Sequence, residues 1–284
     1  MKIQSTKDDV QLYLVPTPIG NFADMTFRSI EVLNNVDIIF CEDTRVTKIL
    51  LSHFNIKTPL SSYHIFNEES RVTEVLDILN LGKTIALVSD AGLPCVSDPG
   101  YLLVRKVLDA GFNVISLPGA SAGLTALIAS GLPTDKFFFY GFLDHKESQK
   151  EKELISLRDT KATIIFYESP LRVKATIMLM YIVLGNREVV IARELTKKYE
   201  EYIRGNLEEI SQLELALKGE IVIVVKGADQ TFLQIDLNSK TIEEHFNHYV
   251  NQGIAEKEAM KMVAKDRNMS KSEIYKQIKS RPNI

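Results

Sequence analysis

Apolar positions along this chain follow two rhythms. Short runs apolar at every position, such as "IALV" at 85–88 and "IVIVV" at 221–225, read as strands buried on both faces. Between them apolar residues recur every three or four positions, as in "TFRSIEVLNNV" at 26–36, the spacing of an amphipathic helix. The first part of the chain thus predicts strands over 11–18, 37–43, 84–90 and 112–119, and helices over 26–36, 44–54, 70–80 and 101–110. A second series predicts a small-residue helix over 121–131, strands over 137–143, 162–169, 187–195 and 219–227, and a charged, solvent-exposed helix over 148–159. Ser169 and Pro170 read as the N-cap and first residue of a helix reaching 184. Past Gly227 no strand candidate remains, and residues 241–284 keep helical spacing throughout. There Ser270 and Glu273 form an S-x-x-E capping box, and two helices joined by a tight turn predict a helix-turn-helix.

Doubly apolar strands linked by amphipathic helices predict an α/β fold built on mainly parallel sheet covered on both sides. Pro118-Gly119 interrupts the alternation. The chain therefore divides into an N-terminal α/β domain (1–118), a C-terminal α/β domain (119–228) and a small basic helical extension (229–284).

The strand ends carry the candidate chemistry. In "TIALVSDAGLPCVSDPG" (84–100) an apolar strand stops at Ser89-Asp90 and gives way to ten residues of turn chemistry. A plain connection needs about 2–6 residues. Open α/β sheets place ligands at the carboxyl ends of their strands, although a long turn that only caps the next helix reads the same way. Comparable turns occur at 16–21, 42–45 and 118–121. In a parallel sheet all four fall on one edge and could wall a common cleft.

Composition narrows function mostly by exclusion. Hydrophobic residues make up 45% and charged residues 25%, with a net charge of −3, so any surface for nucleic acid has to be local. The tail offers one: Lys257 to Arg281 holds eight Lys or Arg against three Asp or Glu. Lys261, Lys265, Arg267, Lys271 and Lys276 are its candidates for a phosphate backbone, with an ordinary solvated helix face as the plainer reading. The start "MKIQSTKDDVQ" lacks the apolar core of a secretory signal, and the longest apolar run, 177–184, is too short to span a membrane. Cys41 and Cys95 form no CxxC and read as core positions in a reducing cytoplasm. His53, His64, His145, His245 and His248 show no metal-binding spacing; His245 and His248 share a helix face and read as solvated. No G-x-G-x-x-G, Walker A or G-x-S-x-G sequence occurs.

The blocks "LYLVPTPIGNFADMTFRSIEVL", "DIIFCEDTR", "LVSDAGLPCVSDPG", "LPGASAGLTALIASGLP", "FYESPLRV" and "ARELTKKYEE" resemble, in order and spacing, the tetrapyrrole-methylase superfamily, most closely its ribosomal RNA branch. The likeness spans about 11–227, and the tail is similar to that branch's C-terminal extension. The resemblance implies S-adenosylmethionine bound in a cleft between the two α/β domains, usually in a homodimer. It implies methyl transfer to the 2′-hydroxyl of a cytidine in the decoding region of 16S ribosomal RNA, within the small subunit. It further implies that Asp90 and Gly92 face the cofactor, with Pro18 at the first turn and Ser121 and Ala122 after the junction. Tyr167, Ala192 and Gly219 fall where the second domain closes over it. Two departures stand out: Leu93 replaces a usual Thr, and Ile65-Phe66 a Glu-His pair.

On the acceptor side, "EDTR" offers Glu42 and Asp43 as bases and Arg45 as a phosphate or carboxylate partner. Equally, Asp43 or Thr44 caps the next helix while Arg45 pairs with Glu42. His64 and Asn67 are second candidates, and Ser121 also reads as a helix N-cap. Two other classes stay open, a tetrapyrrole-biosynthesis methyltransferase and a non-catalytic RNA-binding or assembly protein.

Overall fold

The computed structural model describes residues 10–64, 68–214 and 217–279. Its first sheet contains β1 (Leu12–Leu14), β2 (Ile38–Cys41), β3 (Leu60–Ser62), β4 (Ile85–Val88) and β5 (Val114–Ser116), ordered β3-β2-β4-β1-β5 and parallel throughout. Helices α1 (Phe27–Asn35), α2 (Thr44–His53), α3 (Glu68–Asn80) and α4 (Tyr101–Asp109) connect them. Central β4 shows why these strands are apolar at every position. Its Ile85 and Leu87 pack with Val75, Leu79, Leu103 and Val107 of α3 and α4. Ala86 and Val88 pack on the other face with Leu33 of α1 and Leu51 of α2. Strand β3 escaped the sequence reading because "LSS" carries a single apolar residue.

The second sheet contains β6 (Phe137–Phe142), β7 (Thr163–Glu168), β8 (Glu188–Arg193), β9 (Glu201–Asn206) and β10 (Ile221–Val225), ordered β6-β7-β10-β8-β9. Only β6 and β7 run parallel; the other three pairings are antiparallel, so the mainly parallel expectation holds for the first sheet alone. The reason is β9, an edge strand of mixed polarity absent from the sequence reading, which turns the chain back against β8. Helix α5 (Ala122–Ser130) covers one face, and α6 (Glu147–Leu157), α7 (Val173–Leu184) and α8 (Leu207–Ser211) cover the other.

Two helix readings need correction. Helix α7 starts at Val173 rather than Pro170, because the Ser169 carbonyl accepts the N–H groups of Arg172 and Val173 in a separate turn. Helix α6 is not wholly exposed: Lys150 turns inward, its side chain 7% exposed, to reach Glu168 Oε2 at 3.2 Å. Glu168 also accepts from Thr176 Oγ1 at 2.6 Å and the Ser169 N–H at 2.7 Å, and its Oε1 pairs with Arg172 at 2.9 Å. A buried carboxylate is tolerable here because cations and donors surround it.

The tail folds as a four-helix unit of α9 (Phe232–Ser239), α10 (Ile242–Asn251), α11 (Glu256–Asp266) and α12 (Lys271–Lys279) around Leu237, Phe246, Met260, Val263 and Ile274. Ser270 and Glu273 make the expected reciprocal cap. His245 is fully buried rather than solvated; its Nδ1 accepts from Arg267 Nε at 3.1 Å, and burial holds its pKa down. Arg158, 4.2 Å over the Phe232 ring, and Asp159, accepting the Phe232 N–H at 2.6 Å, dock this unit on the second domain. Among the described residues no helix is long and apolar enough to cross a membrane.

Glu168→Ala is expected to strand the Lys150 ammonium and to destabilise the protein by about 3–5 kcal/mol, whereas Lys150→Met costs less. Urea unfolding of both variants checks this; equal losses would contradict it.

Candidate active site

The chain leaving β4 crosses toward β5, whereas the chains leaving its neighbours β1 and β2 run toward β3. The carboxyl end of β4 therefore lies at a topological switch point, where open α/β sheets bind ligands. Residues 89–100 occupy it and are pinned at both ends. Thr17 and Gly92 exchange N–H···O bonds of 2.9 and 3.0 Å, and Thr17 Oγ1 donates to the Ser89 carbonyl at 3.0 Å. At the far end Glu68 Oε1 accepts the Gly100 N–H at 3.0 Å. Gly100 has to be glycine, since a Cβ would sit 2.7 Å from Cys95 Sγ. Cys95 lies in this loop, partly buried against the core of the first sheet, and both it and Ser97 hold left-handed backbone, with φ of 68° and 61°. Such strain persists only where the surroundings over-determine it, commonly at functional sites.

A cleft of about 400 Å³ opens between this loop and the second sheet. Asp90, Gly92, Leu93 and Asp98 wall one side; Ser121, Ala122, Tyr167 and Gly219 wall the other. Ser121 occupies the N-cap position of α5, but its side chain makes no capping bond. Tyr167 OH accepts the Gly123 N–H at 3.2 Å, which fixes its ring against the start of α5. Gly219, at φ +85°, leaves room for the Glu194 carboxylate, which a Cβ there would strike. Glu194 in turn accepts from Lys197 Nζ at 2.9 Å and holds the loop after β8 in place.

Six of the eight residues that the family resemblance assigns to a cofactor thus share one cleft: Asp90, Gly92, Ser121, Ala122, Tyr167 and Gly219. The other two do not line it but adjoin residues that do, Ile19 and Val222. Ala192 is fully buried in β8 opposite Val222, and Pro18 lines a smaller neighbouring cavity. In "EDTR", Asp43 caps α2 and grips Arg45 through Oδ1 and Oδ2, at 3.0 Å to Nε and 2.6 Å to Nη2. Arg45 therefore pairs with Asp43, not Glu42. The pairing holds the Asp43 carboxyl down at about 2, which makes it a poor proton acceptor. His64 lies close enough to Glu42 to favour its charged form. Asn67 and the Ile65-Phe66 pair fall outside the described residues.

Asp98 went unnoticed in the sequence, where "SDPG" reads as turn chemistry. Burial, and then the Glu42 and Asp90 carboxylates, push Asp98 up to about 6. Burial also raises Glu42 and Asp90, although Asp90 Oδ1 accepts the Asp43 N–H at 3.1 Å. Among the described residues none of these three carboxylates forms an ion pair, and no group of three such side chains is arranged to hold a metal ion. His64 beside Glu42 and Arg45 near Asp90 offset part of this negative charge, and burial keeps all three carboxyls above their ordinary values.

Residues 11–211 match the family of Tetrapyrrole (Corrin/Porphyrin) Methylases, and the chain belongs to that family. Similar relatives are two proteins named Ribosomal RNA small subunit methyltransferase I. That of Bacillus subtilis (strain 168) is 49% identical, covering 97% of this chain and 96% of its own. That of Streptococcus pyogenes serotype M3 (strain MGAS315) is 42% identical, covering 98% and 99%. The fold is shared with diphthine synthase, at a TM-score of 0.62 and 12% identity over 76% of this chain and 90% of that one. It is shared also with a cobalt precorrin-4 methyltransferase, at 0.56 and 18% over 76% and 94%.

Because the folded value of Asp98 lies above its unfolded value of 3.8, the stability it costs grows as pH rises from about 3.8, is complete above about 6 and vanishes well below 3.8. Asp98→Asn is expected to raise the unfolding free energy at pH 8 by about 1 kcal/mol, allowing for its partial exposure, and to leave it almost unchanged at pH about 3.5. Denaturant melts at both pH values check this; a loss of stability at pH 8 would contradict it.

Proposed function

We propose that this methylase uses S-adenosylmethionine to methylate the 2′-hydroxyl of a cytidine in the decoding region of 16S ribosomal RNA. The observation that carries the reading is the cleft of unpaired carboxylates at the switch point, in a chain 49% identical to a protein named for small-subunit ribosomal RNA methylation. The residues present suit that cofactor. A cation gains from Asp90, Asp98 and Glu42; Gly92, Ala122 and Gly219 let backbone approach closely; and the Ser121 hydroxyl is unused by capping. Bound there, the cofactor supplies a methyl on a positively charged sulfur, which leaves as a neutral thioether once the carbon passes to oxygen.

The chain's own part is positioning and proton removal. Holding acceptor and donor in line contributes about 7–11 kcal/mol when the geometry is good. Asp98, on the cleft wall and ionised above about 6, takes the 2′-hydroxyl proton. Asp43, tied to Arg45, serves as a helix cap.

The basic tail supplies the RNA surface. Lys265, Lys271 and Lys276 are exposed, and Lys261 is exposed but paired with Glu258 at 2.8 Å. Arg267 serves differently: it donates to His245 and, at 2.9 Å, to the Leu237 carbonyl, bracing α9 and α10. A second copy of the chain covers the outer row of α5, where Leu124 and Ile128 stand 44% and 76% exposed. A ribosomal acceptor sets this work in the cytoplasm.

Small subunits from a strain lacking the gene, incubated with the protein and S-adenosylmethionine, are expected to yield 2′-O-methylcytidine on nucleoside analysis. Asp98→Asn should lower kcat about 100-fold or more and abolish the acid limb near pH 6. An unaltered pH profile would remove Asp98 from the reaction. Lys271→Gln combined with Lys276→Gln should flatten the slope of log affinity against log salt by about 1.5. An unchanged slope would place the RNA elsewhere.

A further inference from the structure

A second cavity, of about 240 Å³, lies between the turn after β1 and helix α2. Asp90 lines both this cavity and the cleft, so the two meet at that carboxylate. We propose that the smaller cavity seats the acceptor nucleotide, turned out of its RNA strand so that its ribose meets the methyl donor at Asp90. This seat rests on the methyltransferase reading above and adds to it the place of the acceptor.

The walls have the chemistry that single-stranded RNA requires. Phe22, Val46 and Ile49 line the cavity and remain 38%, 43% and 64% exposed. The Phe22 ring is held against His53, with centroids 4.4 Å apart and planes 31° from parallel. Unstacked bases are recognised on such aromatic and apolar platforms, with arginine at the phosphate. Arg45, one position before Val46 on α2, has its side chain 89% exposed while tethered to Asp43, a placement suited to a neighbouring phosphate. On the cavity wall Thr47 is 2% exposed, and its hydroxyl has no nitrogen or oxygen partner, only the Cys41 thiol nearby.

The seat is preset. The Thr17–Gly92 pair and the Thr17 Oγ1 bond to Ser89 clamp one wall to the cofactor-side loop. Asn21 and Thr26 cap the next two helical turns and hold Phe22 between them. Rigid placement of this kind lets acceptor and donor meet without further ordering.

Phe22→Ala and Ile49→Ser test the seat by two readouts, affinity for unmethylated small subunits and calorimetric affinity for S-adenosylmethionine. Each variant is expected to weaken RNA binding about 10-fold or more, to raise the acceptor KM in step, and to leave cofactor affinity within about twofold. Ile49 is largely exposed, so its replacement leaves the fold intact. RNA affinity within twofold of wild type for both variants, or cofactor affinity falling in parallel, would overturn the proposal. If the wild-type protein methylates no RNA while both variants still weaken RNA binding, the proposed reaction fails and the seat stands.

Discussion

A parallel sheet sends every strand end to the same edge, and the first domain is built on that constraint. Three of its five parallel strands, β1, β2 and β4, deliver Thr17, Glu42, Ser89 and Asp90 to one rim. At the end of β4, where connections diverge, backbone groups have to find partners outside the sheet. The Asp43 N–H finds Asp90, and Thr17 pairs with Gly92. The same bonds that satisfy the rim hold a carboxylate at the mouth of the cleft. Asp98 lies partly buried beside Glu42 and Asp90, and burial first, then these two carboxylates, push its pKa up, the pattern common at functional sites.

The second domain closes the other side by different means. Its sheet is mostly antiparallel, and its contribution comes from the start of α5, the end of β7 and the turn before β10. Behind them the Lys150–Glu168–Arg172 cluster and the Glu194–Lys197 pair fix the backbone that faces the cleft. The helical unit lies outside this architecture, with its own core and an exposed basic face. A small macrocyclic acceptor would give that face no task, whereas a phosphate backbone does.

Much of this was legible in the sequence, for identifiable reasons. Doubly apolar runs mark strands covered on both faces, and all of the long helices of the first domain follow from their periodicity. The loop at 84–100 announced itself through its length and turn residues. What stayed hidden depends on partners distant in sequence. Asp98 looks like turn chemistry until Glu42 and Asp90 are placed beside it. Lys150 looks solvated until Glu168 arrives beneath it, and Arg267 looks like an RNA contact until His245 and the Leu237 carbonyl take its donors. The direction of the second sheet was unreadable because β9, "EYIRGN", carries too few apolar residues to register as a strand.

The most direct test of the cleft is calorimetric titration of the purified chain with S-adenosylmethionine, alongside Asp90→Asn. A cationic cofactor held by these carboxylates predicts one molecule bound per chain, with binding at least about tenfold weaker in the variant. No binding to the wild-type chain, or equal affinity in the two proteins, would contradict the central claim that the charged rim of β4 is the cofactor site.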